Sequence, residues 1–330
     1  MEITKTEYYT GLKTLADVYL IQLKTEGKSP NTIRIYNTAL TVFNQFLSLK
    51  QYSNNVIEIT VPKFREFIAH LQNVPAFMQH PFTCPQKKKL AGHTINCYLR
   101  ALRAFWTWLE VEEYIDVNPF WKIVVPKAPK KVIQPFDDDQ IRELLKAIDV
   151  KTVAGARDWA VILTLLDTGI RVSELTNLKL EDINISQRAM KVTGKGNKER
   201  IVPIGISVQK ALLKYLTKFR PKQAHPNFTN IFLNRDGMPL TPNRVQTIIE
   251  MYSKKVGIKG VRASPHTFRH TFAVSYLRNG GDMFTLQRIL GHESLDMVRN
   301  YVNVTQYDLQ RAHLLHSPAD NIRFHLQDKR

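Results

Sequence analysis

From Leu12 to Leu109 the apolar residues of this chain return every three or four positions, a spacing that commits its first third to amphipathic helices. Leu12, Leu15, Ala16, Tyr19 and Leu23 mark the first. Ile33, Tyr36, Leu40, Phe43 and Leu47 mark the second, which Ser29 and Pro30 open as N-cap and first-turn proline. At 100° per residue that set covers one side, leaving Asn31, Arg34, Thr38, Thr41 and Gln45 on the other. A third helix runs through Phe64, Phe67, Ile68 and Leu71. The fourth carries Ile95, Leu99, Leu102, Trp106 and Leu109 inward, with Asn96, Arg100, Arg103 and Thr107 opposite. Between these two, residues 74–93 hold Pro75, Pro81, Pro85 and Lys87-Lys88-Lys89 and read as an exposed loop. Four such helices predict a small bundle. Its polar faces mix short hydroxyls and amides with arginine, which suits phosphates and base edges and equally describes a solvated helix surface.

Residues 125–135, VPKAPKKVIQP, hold three prolines and three lysines, so this segment is extended, stiff and basic. Beyond it Asp137, Asp138 and Asp139 supply capping carboxylates for a helix with Ile141, Leu144, Leu145 and Ile148 inward. Residues 159–166 are apolar on nearly every side, as a central buried helix requires. The period then changes: residues 189–192 and 200–204 read as strands joined by the turn Thr193-Gly194-Lys195-Gly196-Asn197. Helices return at 207–219, 241–255, 264–278, 282–290 and 294–301. The expected organisation is mainly α: a helical domain over 1–128, a linker over 129–136, and a mostly helical domain with a small antiparallel sheet over 137–330, its tail at 306–330.

Composition narrows the partners. The 330 residues include 47 Lys+Arg against 29 Asp+Glu, a net charge of +18, on a chain that is 43% hydrophobic. That is a globular, not a disordered, balance. Residues 1–134 have 17 basic and 10 acidic side chains, and residues 135–330 have 30 and 19. Excess on both parts suits a body that wraps a polyanion better than a detachable basic tail does. No apolar run approaches the ~20 residues that cross a bilayer, and the first residues lack a signal-peptide profile, so a cytoplasmic protein without membrane contact is expected. Cys84 and Cys97 have no metal-ligand or disulfide spacing.

Two arginines stand in unusual places. Arg171 follows a glycine break, Thr168-Gly169-Ile170, at the mouth of a new helix. Later, Ser264-Pro265 opens a helix whose first turn carries His266 with Arg269 three residues on, the same face as the unpaired N–H groups, which makes an anion site. Gly291-His292 ends a helix, and Tyr301 stands nine residues past His292.

These elements resemble the tyrosine recombinases, the phage-integrase and Xer-type family: TGIRVSEL around Arg171, TGKGNKER around Lys195, HTFRHTFA around His266 and Arg269, LGH at His292, and Tyr301 at the family's interval. The resemblance covers residues 139–320, and the four helices before it agree with the family's core-binding, SAM-like domain. Phe268 stands where the family usually has leucine, and the loop at 74–93 is longer than usual. No arm-site domain is expected ahead of the first helix.

The resemblance implies a C-clamp-shaped, site-specific DNA recombinase with the DNA breaking-rejoining fold. Tyr301 would attack the scissile phosphate and form a 3′-phosphotyrosine, conserving the bond energy in a covalent intermediate. Arg171 and Arg269 would grip the non-bridging oxygens with planar guanidinium forks. His266 would accept the phenolic proton, His292 would donate to the phosphate, and Lys195, in competition with Lys198 on the same turn, would protonate the leaving oxygen. Glu174 would orient or neutralise nearby cations, His270 would be an ordinary satisfied histidine, and Tyr307 is the rival nucleophile. DNA contacts are expected from Arg34, Arg100, Arg103, Lys198, Arg200 and Arg244. No cofactor or metal is implied. The partners would be double-stranded DNA with inverted-repeat core sites and further copies of the chain, a dimer on a site and a tetramer in the synapse. The tail would dock on a neighbouring copy or on its own. The rivals are a type IB topoisomerase-like relaxase and a catalytically silent DNA-binding regulator on the same fold.

Overall fold

The computed structural model describes residues 10–76, 78, 84, 86–126, 133–291, 313–314 and 317–319. The chain forms two compact units, Met1–Lys131 and Val132–Arg330.

The first unit is built on α1 (Leu12–Thr25), α2 (Pro30–Leu49), α3 (Val61–Asn73) and α4 (Gly92–Val111). Ser29 caps α2 by accepting from the Thr32 N–H, with Pro30 in the first turn. The core between the helices is aromatic. Trp106 stands edge-on to Phe43 and Phe64, with ring centroids 5.5 and 4.9 Å away, and all three are fully buried. Thr38 and Asn96, which the spacing puts on outer faces, are buried at 5% and 7% exposure. Each helix of a bundle meets neighbours on two sides, so its covered arc exceeds one stripe of five residues. The segment at 74–93 is more than a loop. It contains a short antiparallel hairpin, β1 (Pro75–Ala76) with β2 (Gln86–Lys89), whose strand signal is hidden because proline and lysine are poor strand formers. The residues of β2 remain exposed, as expected.

In the second unit, α5 (Asp138–Lys146) begins at a capping box in which Asp137 and Gln140 satisfy each other's backbone N–H. The central α6 (Val153–Thr168) is followed by α7 (Val172–Asn177). A three-stranded antiparallel sheet orders β3 (Ile183–Asn184), β4 (Ala189–Thr193) and β5 (Glu199–Pro203) in sequence, and the β4–β5 register pairs Met190 with Val202. The two residues of β3 are too few for a period to reveal, so spacing does not announce this strand. Next come α8 (Ile206–Lys214), extended by a π turn at Tyr215–Phe219, then α9 (Pro242–Lys255), α10 (Pro265–Arg278) and α11 (Met283–Leu290). The core gathers Ile162 and Leu165 of α6, Val192 and Val202 of the sheet, Tyr215, Ile249 and Phe268. Phe268 is fully buried, its ring 4.9 Å from that of Phe136.

The expected helix at 294–301 and the helical tail with its docking lie outside the described residues, save for a few isolated tail positions. Among the described residues no helix is long and apolar enough to cross a membrane.

Candidate active site

Four chain segments meet through one ring of hydrogen bonds. The first link begins where α6 stops. Gly169 takes a left-handed conformation (φ 59°), and a methyl group there would lie 2.4 Å from the Phe272 ring, so only glycine fits. That turn aims the Gly169 carbonyl at Arg269 of α10. Arg269 is 3% exposed and donates from Nη1 to Gly169 O at 2.7 Å and from Nη2 to Leu290 O at 2.9 Å. One guanidinium thus ties the glycine break to the C-terminal end of α11, which satisfies a helix-end carbonyl and fixes the cation between them.

The second half of the ring starts two residues past Gly169. Arg171 caps α7 at its N-terminus. Its backbone N–H donates to Glu174 Oε2 at 2.8 Å and its Nη1 to Glu174 Oε1 at 2.9 Å, while a third of its side chain stays open to solvent. Arg200 on β5 approaches the same carboxylate from the other side, Nη1 to Oε1 at 3.0 Å and Nη2 to Oε2 at 2.9 Å. Its Nε donates to Ile289 O at 2.7 Å, next to the carbonyl that Arg269 holds. Arg171, Glu174, Arg200, the end of α11, Arg269 and Gly169 therefore close a circuit.

Glu174 is sealed in at 2% side-chain exposure. Burial alone would raise its pKa, but hydrogen bonds from Arg200 and Arg171 outweigh that and hold it below the ordinary value. It is a carboxylate at neutral pH, so the ring holds three guanidinium groups and one anion. The surplus positive charge, in a partly water-excluded place, suits a phosphate whose oxygens gain charge during reaction.

The remaining expected residues fall as follows. Ser264 caps α10, its Oγ accepting from the Thr267 N–H at 3.1 Å, which uses one of the N–H groups expected to face an anion. His266 stands at the surface on the first turn, partly covered by its surroundings. Its pKa lies below the ordinary histidine value because of partial burial, then the Arg269 and Arg262 charges, so the imidazole is neutral at pH 7. His270 is buried, its pKa lowered chiefly by desolvation. Lys195 begins the β4–β5 turn, which closes through Gly194 N–H to Lys198 O at 2.8 Å and bends through left-handed Gly196 and Asn197. The side chain of Lys195 lies outside the described part, as do all of His292, Tyr301 and the rival Tyr307.

Of the expected DNA contacts, Arg34, Arg100, Lys198 and Arg244 are exposed. Arg103 instead points inward. Its Nη2 donates to Ile123 O at 3.0 Å and its guanidinium sits 5.6 Å over the Phe120 ring, holding the segment after α4 against the helix. Arg200 is an internal bridge rather than an open surface cation, with its side chain 14% exposed. Sequence reasoning missed that placement because its partners stand 26 and 89 residues away. Among the described residues no three His, Cys, Asp or Glu side chains gather as a metal site.

The pattern of the phage integrase family matches residues 134–307, and that of the phage integrase SAM-like domain matches 13–124. The chain is 32% identical over 314 residues to tyrosine recombinase XerC of Oceanobacillus iheyensis, covering 94% of this chain and 98% of that one. It is 33% identical over 307 residues to tyrosine recombinase XerC of Pelotomaculum thermopropionicum, covering 90% and 95%. Among solved structures it is similar in fold to the Tn1549 transposon integrase in complex with a circular-intermediate DNA, with a TM-score of 0.70, 22% identity, and 91% and 98% of the two chains covered.

Proposed function

Because this chain belongs to the phage integrase family of tyrosine recombinases, we propose that it cuts and rejoins double-stranded DNA at specific sites, with Tyr301 as the nucleophile. The observation that carries the reading is the ring that brings Arg171 and Arg269, 98 positions apart in sequence (269 − 171), to one place with a buried carboxylate between Arg171 and Arg200.

The Tyr301 oxygen attacks the scissile phosphorus as the P–O5′ bond breaks, leaving a 3′-phosphotyrosine and a free 5′-hydroxyl. His266, neutral at pH 7, takes the phenolic proton. Lys195 gives its proton to the departing oxygen. Arg171 and Arg269 hold the non-bridging oxygens, with His292 as a further donor, and Glu174 keeps Arg171 in place. Because the attack conserves one phosphodiester bond, a second 5′-hydroxyl reverses it without nucleotide hydrolysis. Rejoining to a new strand makes the reaction a recombination. A dimer on each inverted-repeat site and a tetramer at synapsis follow from the need to cut four strands. The similarity to XerC proteins, which runs over 90–94% of this chain, supports core-type recombination sites as the target.

A nicked suicide duplex bearing candidate sites tests this. The wild-type chain should give a covalent protein–DNA band on a denaturing gel and products with exchanged partners. Tyr301→Phe should give neither, and Arg171→Ala should lose ~10²–10³ in adduct rate. An adduct with Tyr301→Phe assigns the nucleophile elsewhere, and rejoining of original partners alone marks a relaxase.

A further inference from the structure

We infer that Arg200 is a positioning residue for proton donation: it locks the turn that carries Lys195 onto the Glu174–Arg171 pair and onto the end of α11. The inference rests on the reading of Lys195 as the general acid.

Three observations carry it. First, Arg200 makes three directed bonds to two separate segments, both Glu174 oxygens and the Ile289 carbonyl, and no single-point cation could replace this fork. Second, the strand bearing it leaves the β4–β5 turn directly, and the turn's first glycine lies against the same atoms. A methyl group at Gly194 would stand 3.3 Å from Glu174 Oε1 and 3.5 Å from Arg200 Nη1. The residue before Lys195 therefore rests on the bridge, close enough that even a methyl group there would be in tight contact with the Glu174 carboxylate. Third, the aliphatic stem and fork of Arg200 press on Gly291, where a methyl group would lie 3.1 Å from Nη1 and 3.2 Å from Cδ. Gly291 immediately precedes His292. One side chain thus sets the height of the lysine turn against Glu174 and the end of α11, while Arg171 keeps two bonds of its own to that carboxylate.

The consequence is chemical. Without Arg200 the turn keeps its own closing bond, Gly194 N–H to Lys198 O, but loses its anchor to the site. The arginines would still hold the phosphate, while the proton donor would be misplaced. The defect should therefore depend on whether the leaving group needs a proton. A 5′-oxygen does. A 5′-sulfur, whose thiol has a pKa of about 8.5 if cysteine-like, leaves as a thiolate without one.

The experiment compares adduct formation on suicide duplexes with oxygen or sulfur at the 5′-bridging position, using the full-length protein. Arg200→Ala should be about 30-fold slower than wild type on oxygen, a fraction of the ~10²–10⁴ that general acid catalysis contributes, and within about fivefold on sulfur. Arg200→Lys, which keeps the charge but cannot span both partners, should show the same pattern more weakly, and it decides the matter if the alanine variant does not fold. Arg171→Ala should be slow on both substrates.

Equal slowing of Arg200→Ala on oxygen and sulfur, or no slowing, overturns the proposal. So does a fall in DNA affinity with a salt slope lower by about one, the mark of a phosphate contact. If Lys195→Ala is not relieved by sulfur, the assignment of Lys195 fails and takes this proposal with it. If Lys195→Ala is relieved and Arg200→Ala is not, only the role of Arg200 falls.

Discussion

At the residue scale the site depends on positions whose neighbours leave no slack. Gly169 combines a left-handed backbone with a Cβ position 2.4 Å from Phe272 and 2.9 Å from Leu290, and its carbonyl is the anchor for Arg269. Alanine there adds the left-handed penalty of ~1–2 kcal/mol to ~1–3 kcal/mol of overpacking. Gly169→Ala is expected to lose ~2–5 kcal/mol in a urea melt and to form almost no adduct even where it stays folded. His266 provides the pH handle. Its lowered pKa keeps the imidazole ring's base form available at neutral pH, so adduct rate should be flat around pH 7 and fall on the acid side, below about 6.5. His266→Ala should be slower and lack that limb. The same shift has a stability sign. Above the unfolded pKa both states hold neutral histidines and nothing is gained. As pH drops below it, the unfolded chain takes up protons before folded His266 and His270 do, so stability falls, which thermal melts across that range would show. Arg171, Lys195, His266 and Arg269 could be named as candidates from sequence because each sits in a local motif. The bridging place of Arg200 could not, since its partners are set by packing.

At the element scale, the helices of the first unit follow from their apolar spacing, and the core they enclose is a run of interlocked rings. Trp106 is the largest fully buried side chain, and its Nε1 has no hydrogen-bond partner among the described residues. Trp106→Ala should cost ~3–5 kcal/mol, whereas Trp106→Phe, which keeps a ring and removes the orphan donor, should cost under about 1.5 kcal/mol. Equal losses in a denaturant titration would mean that the ring contacts contribute little. In the second unit, α10 shows how an element exposes and buries at once. Ser264 caps it, Phe268 and Arg269 turn inward, and His266 stays at the surface. Strands are less legible than helices. β4 and β5 show through their alternation and glycine turn, while β3 and the β1–β2 hairpin are too short or too rich in proline and lysine to signal themselves.

At the scale of the whole molecule, the charge of +18 sets the terms of DNA binding. Neutralising phosphates releases counterions, so affinity should fall steeply with salt. With roughly 6–10 phosphate contacts, K should drop ~10³–10⁵ between about 50 and 200 mM salt, measurable by gel shift or anisotropy on a core-site duplex. A shallow slope would contradict an extensive phosphate grip. Exchanging Arg244 on α9, exposed beside the helix cap, should weaken binding; if the loss is confined to one base position, Arg244 reads sequence, and if it is uniform, it holds backbone.

The sequence by itself determined the helical first unit, the small sheet, the basic character and the order of motifs, because periodicity, capping and charge act over a few residues. Tertiary structure alone decided which cations share an anion. Arg171 meets Arg200 through Glu174, and Arg269 reaches Gly169 100 residues back. It also turned Arg103 inward and buried Asn96 and Thr38. A side chain's partner is set by what packing brings within about 3 Å, and no local spacing encodes that distance.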